Sequence, residues 1–393
     1  METLHLSPQD PDFVQNPYPA YDAARARGPV LFWADCGMAA AFDAATVNAL
    51  LRDRRLGREK PAALQTPYPA HLSDWALAET HSMLDMEPPR HTRLRGLVLR
   101  AFTSRRIAGL SGDITEVCAD LLDTRRDGPF DLIPAYCTQV PVRIIARLLG
   151  VPEEMSGDLL RWSRDMVAMY QAGRDRTTED RANTAAAEFI AFLRSYIDKR
   201  RSDPRDDLIT QLIAAEEEGE KLTPDELIGT CILLLNAGHE ATVHSIGNGV
   251  KCLLEQGTAL SALAPERIAG TVEEILRYDA PLHMFTRIAY EDINIGPHSL
   301  EKGQEIALIL GAANRDPALF EDPNTFNPNR AIKPNTTFGA GLHFCVGAPL
   351  ARLELQIALP ALFAAYPDLH LTEPPRYANS YHFHKLDRLM VTP

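Results

Sequence analysis

The chain has 393 residues, 45% of them hydrophobic and 24% charged, with a formal charge of −13. That composition belongs to a globular protein with ample core. The acidic balance argues against nucleic acid as a partner, because binding it needs a basic footprint. No Pro/Gly/Ser-rich linker, internal repeat or low-complexity run marks a boundary, so residues 1–393 are read as one large domain.

Met1–Ser7 lacks the basic start and apolar run of a signal peptide, and no stretch of about eighteen uninterrupted apolar residues follows. A cytoplasmic protein without a membrane anchor is expected. Cysteines 36, 118, 137, 231, 252 and 345 lie far apart with no Cys-x-x-Cys pair, which argues against a disulfide framework and a zinc site.

In chain order, Val30–Trp33 is the first strand candidate. Arginines 90, 93, 95, 100, 105 and 106 follow with no acid among them, a local basic face that suits an acidic protein. Helical periodicity then covers Ile114–Leu122, Val140–Leu149, Ala185–Ile197, Asp207–Ala215 and Pro224–Leu254, with polar breaks at 173–176 and 202–206. Ile306–Leu310 and Leu389–Val391 are further strand candidates. Glu321–Pro334, with three prolines and three asparagines, should be irregular but ordered coil. The fold class is mainly α with small β-sheets.

Thr223-Pro224-Asp225-Glu226 supplies a capping residue, a proline at the first helical position and acids in the first turn. The helix it opens is apolar nearly all round, hence buried. In its middle stands Ala237-Gly238-His239-Glu240-Ala241-Thr242. Small residues followed by a carboxylate in a buried helix imply that something presses on the backbone and that a charge is kept nearby. At 100° per residue, Leu234, Ala237, Gly238 and Ala241 share a face, and Thr242 points away from it. His239 suits packing or a hydrogen bond better than metal ligation.

Cys345 sits in Phe338-Gly339-Ala340-Gly341-Leu342-His343-Phe344-Cys345-Val346-Gly347-Ala348-Pro349, just before an apolar helical pattern. The glycines allow a tight turn and close approach of a flat ligand, and backbone N–H groups near a helix start favour the thiolate. A thiolate so placed can hold a haem iron and push electron density onto it.

This loop resembles the haem-binding loop of the cytochrome P450 family, and the likeness runs from Asn16-Pro17-Tyr18-Pro19 to the C-terminus. It implies a P450-like prism fold with haem b between the long central helix and the cysteine-loop helix, and Cys345 as the axial metal ligand. It also implies a soluble haem-thiolate monooxygenase that takes electrons from a separate ferredoxin and reductase, uses O2 and oxidises a hydrophobic small molecule. The protein would be monomeric. Phe338 and Gly347 would flank the sulfur, and Ala237 and Gly238 would lie over the haem. His91, Arg95, Arg287 and His343 match positions that bind the haem propionates, which need charged or imidazole donors. Glu274, Arg277 and Arg330 resemble the family's structural Glu-x-x-Arg pair locked by a second arginine. The resemblance lines the substrate pocket with Leu234, Ala237, Leu282, His283, Met284, Phe285 and Phe383, the variable loop around 65–84, and 381–384.

One departure stands out. The family pattern places a threonine after the helix acid to help deliver protons to dioxygen, and here that residue is Ala241. Glu240, Ala241 and Thr242 are the catalytic candidates, with Thr242 off the face and unable simply to substitute. The alanine opens a second reading: substrate-assisted oxidation, oxidative coupling or a peroxide-driven step. Two further readings are a haem protein that binds ligands without turnover and a helical protein with no cofactor.

Overall fold

A computed structural model describes residues 1–124, 126–171, 174–217, 222–257, 260–381 and 383–393. The backbone gathers into two compact units: Met1–Leu64 with Cys118–Cys137 and Ala241–Pro393, and Gln65–Val117 with Thr138–Glu240.

The first unit holds the sheets. Its largest has six strands in the order Thr3–Leu4, Val30–Trp33, Met38–Ala41, Glu305–Ile309, Met284–Ala289, Leu56–Gly57. Val30–Trp33 has the expected bounds and pairs antiparallel with Met38–Ala41, Val30 opposite Ala41. The expected strand over 306–310 runs one residue earlier, Glu305–Ile309, because Leu310 opens a helical turn through Ala313. The last expected strand is Met390–Thr392. The other strands, two to six residues long, are too short or irregular for periodicity to reveal them. Apolar clusters fill both sides of the large sheet: Val47, Leu50, Leu51 and Leu308 belong to one, and Tyr21, Trp33, Phe42 and Ile309 to the other.

The second unit is built of helices. The helix expected over 185–197 extends over Arg176–Ser202, because Asp175 caps it by accepting from Thr178 N at 2.8 Å. The polar break therefore includes the helix start; its Gly173 lies outside the described residues. Trp162 stacks on Phe189 with ring centroids 5.0 Å apart, joining that helix to Ser156–Val167. The loop expected around 65–84 contains a helix, Ser73–Thr80. Its backbone donates from Asp74 and Trp75 to Asn183 Oδ1, at 2.9 and 3.1 Å.

The long helix spans Pro224–Glu255. Its start is a reciprocal capping box: Thr223 N donates to Glu226 Oε2 at 2.9 Å and Glu226 N donates to Thr223 Oγ1 at 3.2 Å.

Helix Ala348–Ala365 is long and apolar enough to cross a membrane by length and composition. It carries Arg352 and Glu354, however, and buries Leu355, Ala358, Leu359 and Leu362. A core helix accounts for all of these.

Candidate active site

The cysteine loop is held by a network that begins on helix Ile268–Tyr278. Arg277 donates Nε and Nη2 to Glu274, each at 2.8 Å, in the forked geometry that only a guanidinium provides. Its Nη1 reaches the carbonyls of Asn314 at 3.0 Å and Pro323 at 2.8 Å. Arg330 donates Nε to the same carboxylate at 3.1 Å and Nη2 to the carbonyls of Asp322 and Thr325, both at 3.1 Å. Two guanidinium groups thus give the irregular segment its order without a helix or strand, satisfying backbone groups that regular structure would otherwise satisfy.

Asn314 carries this order onward. Its Oδ1 accepts from Thr336 N at 2.7 Å, its Nδ2 donates to Thr337 Oγ1 at 2.8 Å, and Thr337 in turn donates to Leu276 O at 2.7 Å. The residue before Phe338 is therefore tied to the helix that carries Arg277. From the other side, Arg352 on helix Ala348–Ala365 pairs with Glu273 and lies over the Phe338 ring, 4.5 Å from its centroid.

Within the loop, Gly339 and Gly341 take φ of 68° and 69°, a left-handed backbone that costs glycine little. A Cβ on Gly341 would also come within 2.6 Å of Leu51 O. Gly339 N donates to Thr336 O at 2.8 Å and Cys345 N to Phe338 O at 3.0 Å. Gly347, the N-cap of Ala348–Ala365, puts Cys345 two residues before the positive end of an eighteen-residue helix.

The donor set fits haem ligation at this cysteine. Burial pushes the Cys118 thiol up to about 11 and the Cys231 thiol up to about 12, and it raises Cys137 and Cys252 further. Cys36, half-buried, is raised to about 11 by burial and Asp35. Cys345 is the exposed one, and it has the helix start beside it. Only there is the thiolate both accessible and electrostatically favoured. A Cβ on Gly347 would lie 3.8 Å from its Sγ, so glycine keeps the flank of the sulfur clear.

The propionate candidates fall in both units. Arg287 is buried in strand Met284–Ala289 and donates to Thr286 O at 2.8 Å. Strand alternation puts it on the same face as Phe285, whose ring would meet a Cβ on Gly339 at 3.1 Å. His343 ends the short turn Gly341–His343. In the second unit His91 and Arg95 stand at i and i+4 on helix Arg90–Ala101, His91 buried and Arg95 half-buried. Of the basic run, Arg93 pairs with Glu226 and Arg106 with Asp206, while Arg100 and Arg105 are exposed.

On the long helix Ala237 is exposed although Leu234, Leu235, Asn236 and His239 around it are buried, and Ala241 is half-exposed. The face expected to lie over a ligand is open at those alanines. His239 Nδ1 meets Leu235 O at 3.0 Å, a helix hydrogen bond. Glu240 is half-exposed.

Several residues differ from expectation. Gly238 serves packing, since a Cβ there would sit 3.1 Å from Ile145 Cδ1. Thr242, expected off the face of Ala237 and Ala241, is buried beside Glu354, as the 100° offset requires. Met284 and Phe285, adjacent in a strand, point to opposite faces: Met284 packs on the cluster of Tyr21, Trp33 and Phe42, and Phe285 on that of Leu51 and Leu308. Their side chains cannot line one pocket together. His283 is buried and bonded through Nδ1 to Tyr21 OH at 3.1 Å and through Nε2 to Tyr18 OH at 3.3 Å, so it belongs to a core network and not to an apolar pocket. Leu282 is half-buried. Phe383 is buried against His244 of the long helix, 5.4 Å between centroids; His382 lies outside the described residues.

Glu354 went unnoticed in the sequence. Its signal is a carboxylate inside the apolar run Leu350–Leu362. It is 1% exposed, and burial pushes its carboxyl up to about 8, opposed by the nearby Thr242 hydroxyl. At neutral pH it is chiefly the neutral acid. An acid whose folded pKa is raised binds more protons folded than unfolded, so this group lowers stability as pH climbs from about 4.5 to about 8. The expected cost between pH 5 and 8 is about 3 kcal/mol. Glu354→Gln, which mimics the neutral acid, should remove that slope in denaturant titrations at the two pH values; an unchanged slope contradicts the assignment.

Comparison with known proteins gives the family. A sequence model described as Cytochrome P450 matches residues 268–377, the span of the Glu274 network and the cysteine loop. Over 388 residues the chain is 36% identical to a polyketide biosynthesis cytochrome P450, PksS, of Bacillus subtilis, covering 95% of this chain and 94% of that one. It is 35% identical over 368 residues to 6-deoxyerythronolide B hydroxylase of Saccharopolyspora erythraea, covering 90% and 89%. The crystal structure of P450BioI in complex with hexadec-9Z-enoic acid ligated acyl carrier protein superposes with a TM-score of 0.91 at 34% identity, covering 98% of this chain and all of that one.

Proposed function

Because the chain belongs to the cytochrome P450 family and is a monooxygenase with haem b on a cysteine thiolate, we propose that it oxidises a hydrophobic small molecule of polyketide or long-chain acyl type with electrons from a separate ferredoxin and reductase. Bound haem supplies an iron that activates dioxygen. The membership sets aside the readings of a haem carrier without turnover and of a cofactor-free protein.

In this proposal residues 1–393 work as one domain, soluble, cytoplasmic and monomeric. Cys345 ligates the iron and Phe338 shields the sulfur. Arg95, Arg287, His343 and His91 neutralise the propionates. The exposed side of Ala237 and Ala241 receives the ligand, an apolar surface oriented by few polar points. The basic run at 90–106, with Arg100 and Arg105 exposed, is the docking face for the acidic ferredoxin. The substrate class rests on relatives whose names cite polyketide biosynthesis, hydroxylation of 6-deoxyerythronolide B and an acyl carrier protein ligated to hexadec-9Z-enoic acid.

The single observation that carries the mechanism is the half-exposed Ala241 beside half-exposed Glu240. No hydroxyl stands on the ligand side at that turn, and Thr242 is turned to Glu354. Protons reach the oxygen site from Glu240 through ordered water or from a hydroxyl on the substrate. The same observation favours the second reading, an oxidation that uses a substrate group or needs fewer protons.

The test supplies ferredoxin and its reductase as separate proteins and measures product formed per oxygen consumed. If water or substrate does the work, Ala241→Thr should lower coupled turnover by about tenfold or more, because the added methyl and hydroxyl displace it. Better coupling in the variant would overturn substrate or water assistance. Absence of electron transfer from any ferredoxin, with turnover on peroxide alone, would overturn the ferredoxin reading.

A further inference from the structure

The first unit contains a second buried constellation that shares no residue with the cysteine loop. Asp279, at the end of helix Ile268–Tyr278, and His283 stand four residues apart; His384 comes from the C-terminal segment. The three offer ligand atoms all within 4.8 Å of one another, and all three residues are buried. We propose that Asp279, His283 and His384 bind a divalent transition-metal ion of the zinc class, a site separate from the haem and independent of the substrate reading above.

The donor chemistry selects the ion. Two imidazoles and one carboxylate suit Zn2+, Co2+ or Fe2+ and are poor for Mg2+ or Ca2+, which take oxygen. Further donors surround the three: Tyr377 OH bonds Asp279 Oδ2, and Cys252 Sγ lies 3.9 Å from the same oxygen.

Two spacings within the cluster suit an ion. His384 Nδ1 lies 2.9 Å from Asp279 Oδ1, close to the separation of two donors on one ion. Tyr18 OH is shared between Asp279 Oδ1 and His283 Nε2 at 3.3 Å from each, longer than a settled hydroxyl hydrogen bond. That hydroxyl spans a gap wider than one proton bridges well.

The cluster is also reachable. Asp279, His384, Tyr18 and Tyr377 line a cavity of about 540 Å³, together with Lys251 and Arg315. Tyr377 stacks on His384 with centroids 3.7 Å apart and fixes the ring plane. Lys251 and Arg315 are the opposing charges; Lys251 Nζ lies 3.7 Å from Asp279 Oδ2, but it already lies 3.0 Å from Glu255 Oε2 and can retire there.

The experiment uses tag-free, haem-loaded full chain, stripped with a chelator and dialysed against micromolar zinc chloride. Elemental analysis should find one zinc per chain beside the haem iron, and zinc-edge X-ray absorption should show imidazole scattering from two histidines. His384→Ala should weaken zinc binding by at least about tenfold. Lys251→Met, which removes a repelling cation, should tighten it roughly tenfold or more, an effect that a merely structural lysine would not produce. The proposal is overturned by sub-stoichiometric zinc in the parent, by a spectrum without two histidines, or by unchanged affinity in both variants. If His384→Ala fails to retain haem, the parent's absorption spectrum at the zinc edge and the Lys251→Met affinity decide alone.

Discussion

The Cys345→Ser protein, reduced and treated with carbon monoxide, should lose the strongly red-shifted Soret band of thiolate-ligated haem. Its monooxygenase turnover should fall by more than about a hundredfold, since changes even one shell outside a metal's ligands cost 10–100-fold. The reason is electronic. Serine is nearly isosteric, so the loop held by Thr336, Thr337 and the Arg352 contact with Phe338 should keep its shape. An alcohol beside the same helix start stays protonated where a thiol ionises, and its oxygen donates far less to iron. No other cysteine can take over, because burial raises the thiols of Cys36, Cys118, Cys137, Cys231 and Cys252. Retention of the parent spectrum in the variant would remove Cys345 from the iron.

Arg277→Ala should be the most damaging change outside the loop. The guanidinium is 2% exposed and serves Glu274 and the carbonyls of Asn314, Pro323 and Thr325 at once. Its removal leaves a buried carboxylate with only Arg330 for charge compensation and strands carbonyls inside the protein. Breaking a buried pair from one side costs roughly 3–5 kcal/mol, and Asn314 would lose the anchor that orients Thr336 and Thr337. We expect haem content to collapse on purification and the midpoint of thermal unfolding to drop by on the order of 5 °C or more. Arg277→Lys should rescue little, because an ammonium cannot reproduce the fork. A stable, haem-loaded Arg277→Ala protein would show that the network is dispensable.

How far each residue could be read ahead depended on how local its causes are. The capping box at Thr223 and Glu226 lies within four consecutive residues, and the helix starts where it says. Val30–Trp33 is a compact apolar run with a turn after it, and it is a strand. Helix Arg176–Ser202 outruns its periodic stretch because its first turns are polar and its apolar stripe begins at Ala182. A glycine at 238 suits close approach by a ligand, and it also lets Ile145, 93 positions upstream, pack against the helix.

The chain by itself determined the chemistry of the iron site, because glycines, thiol and helix start must be contiguous for a backbone to present a thiolate, and contiguity is visible in order of residues. It also determined the bounds of the strongest elements, whose caps and periodicity act over one or two turns. Only the tertiary structure decided what each side chain faces: that Thr242 turns to Glu354, that Met284 and Phe285 part company across a sheet, and that Asp279, His283 and His384 meet. Those outcomes depend on contacts distant in the chain, 105 positions between Asp279 and His384 and more for the others, made by packing and burial, which leave no periodic trace in the sequence.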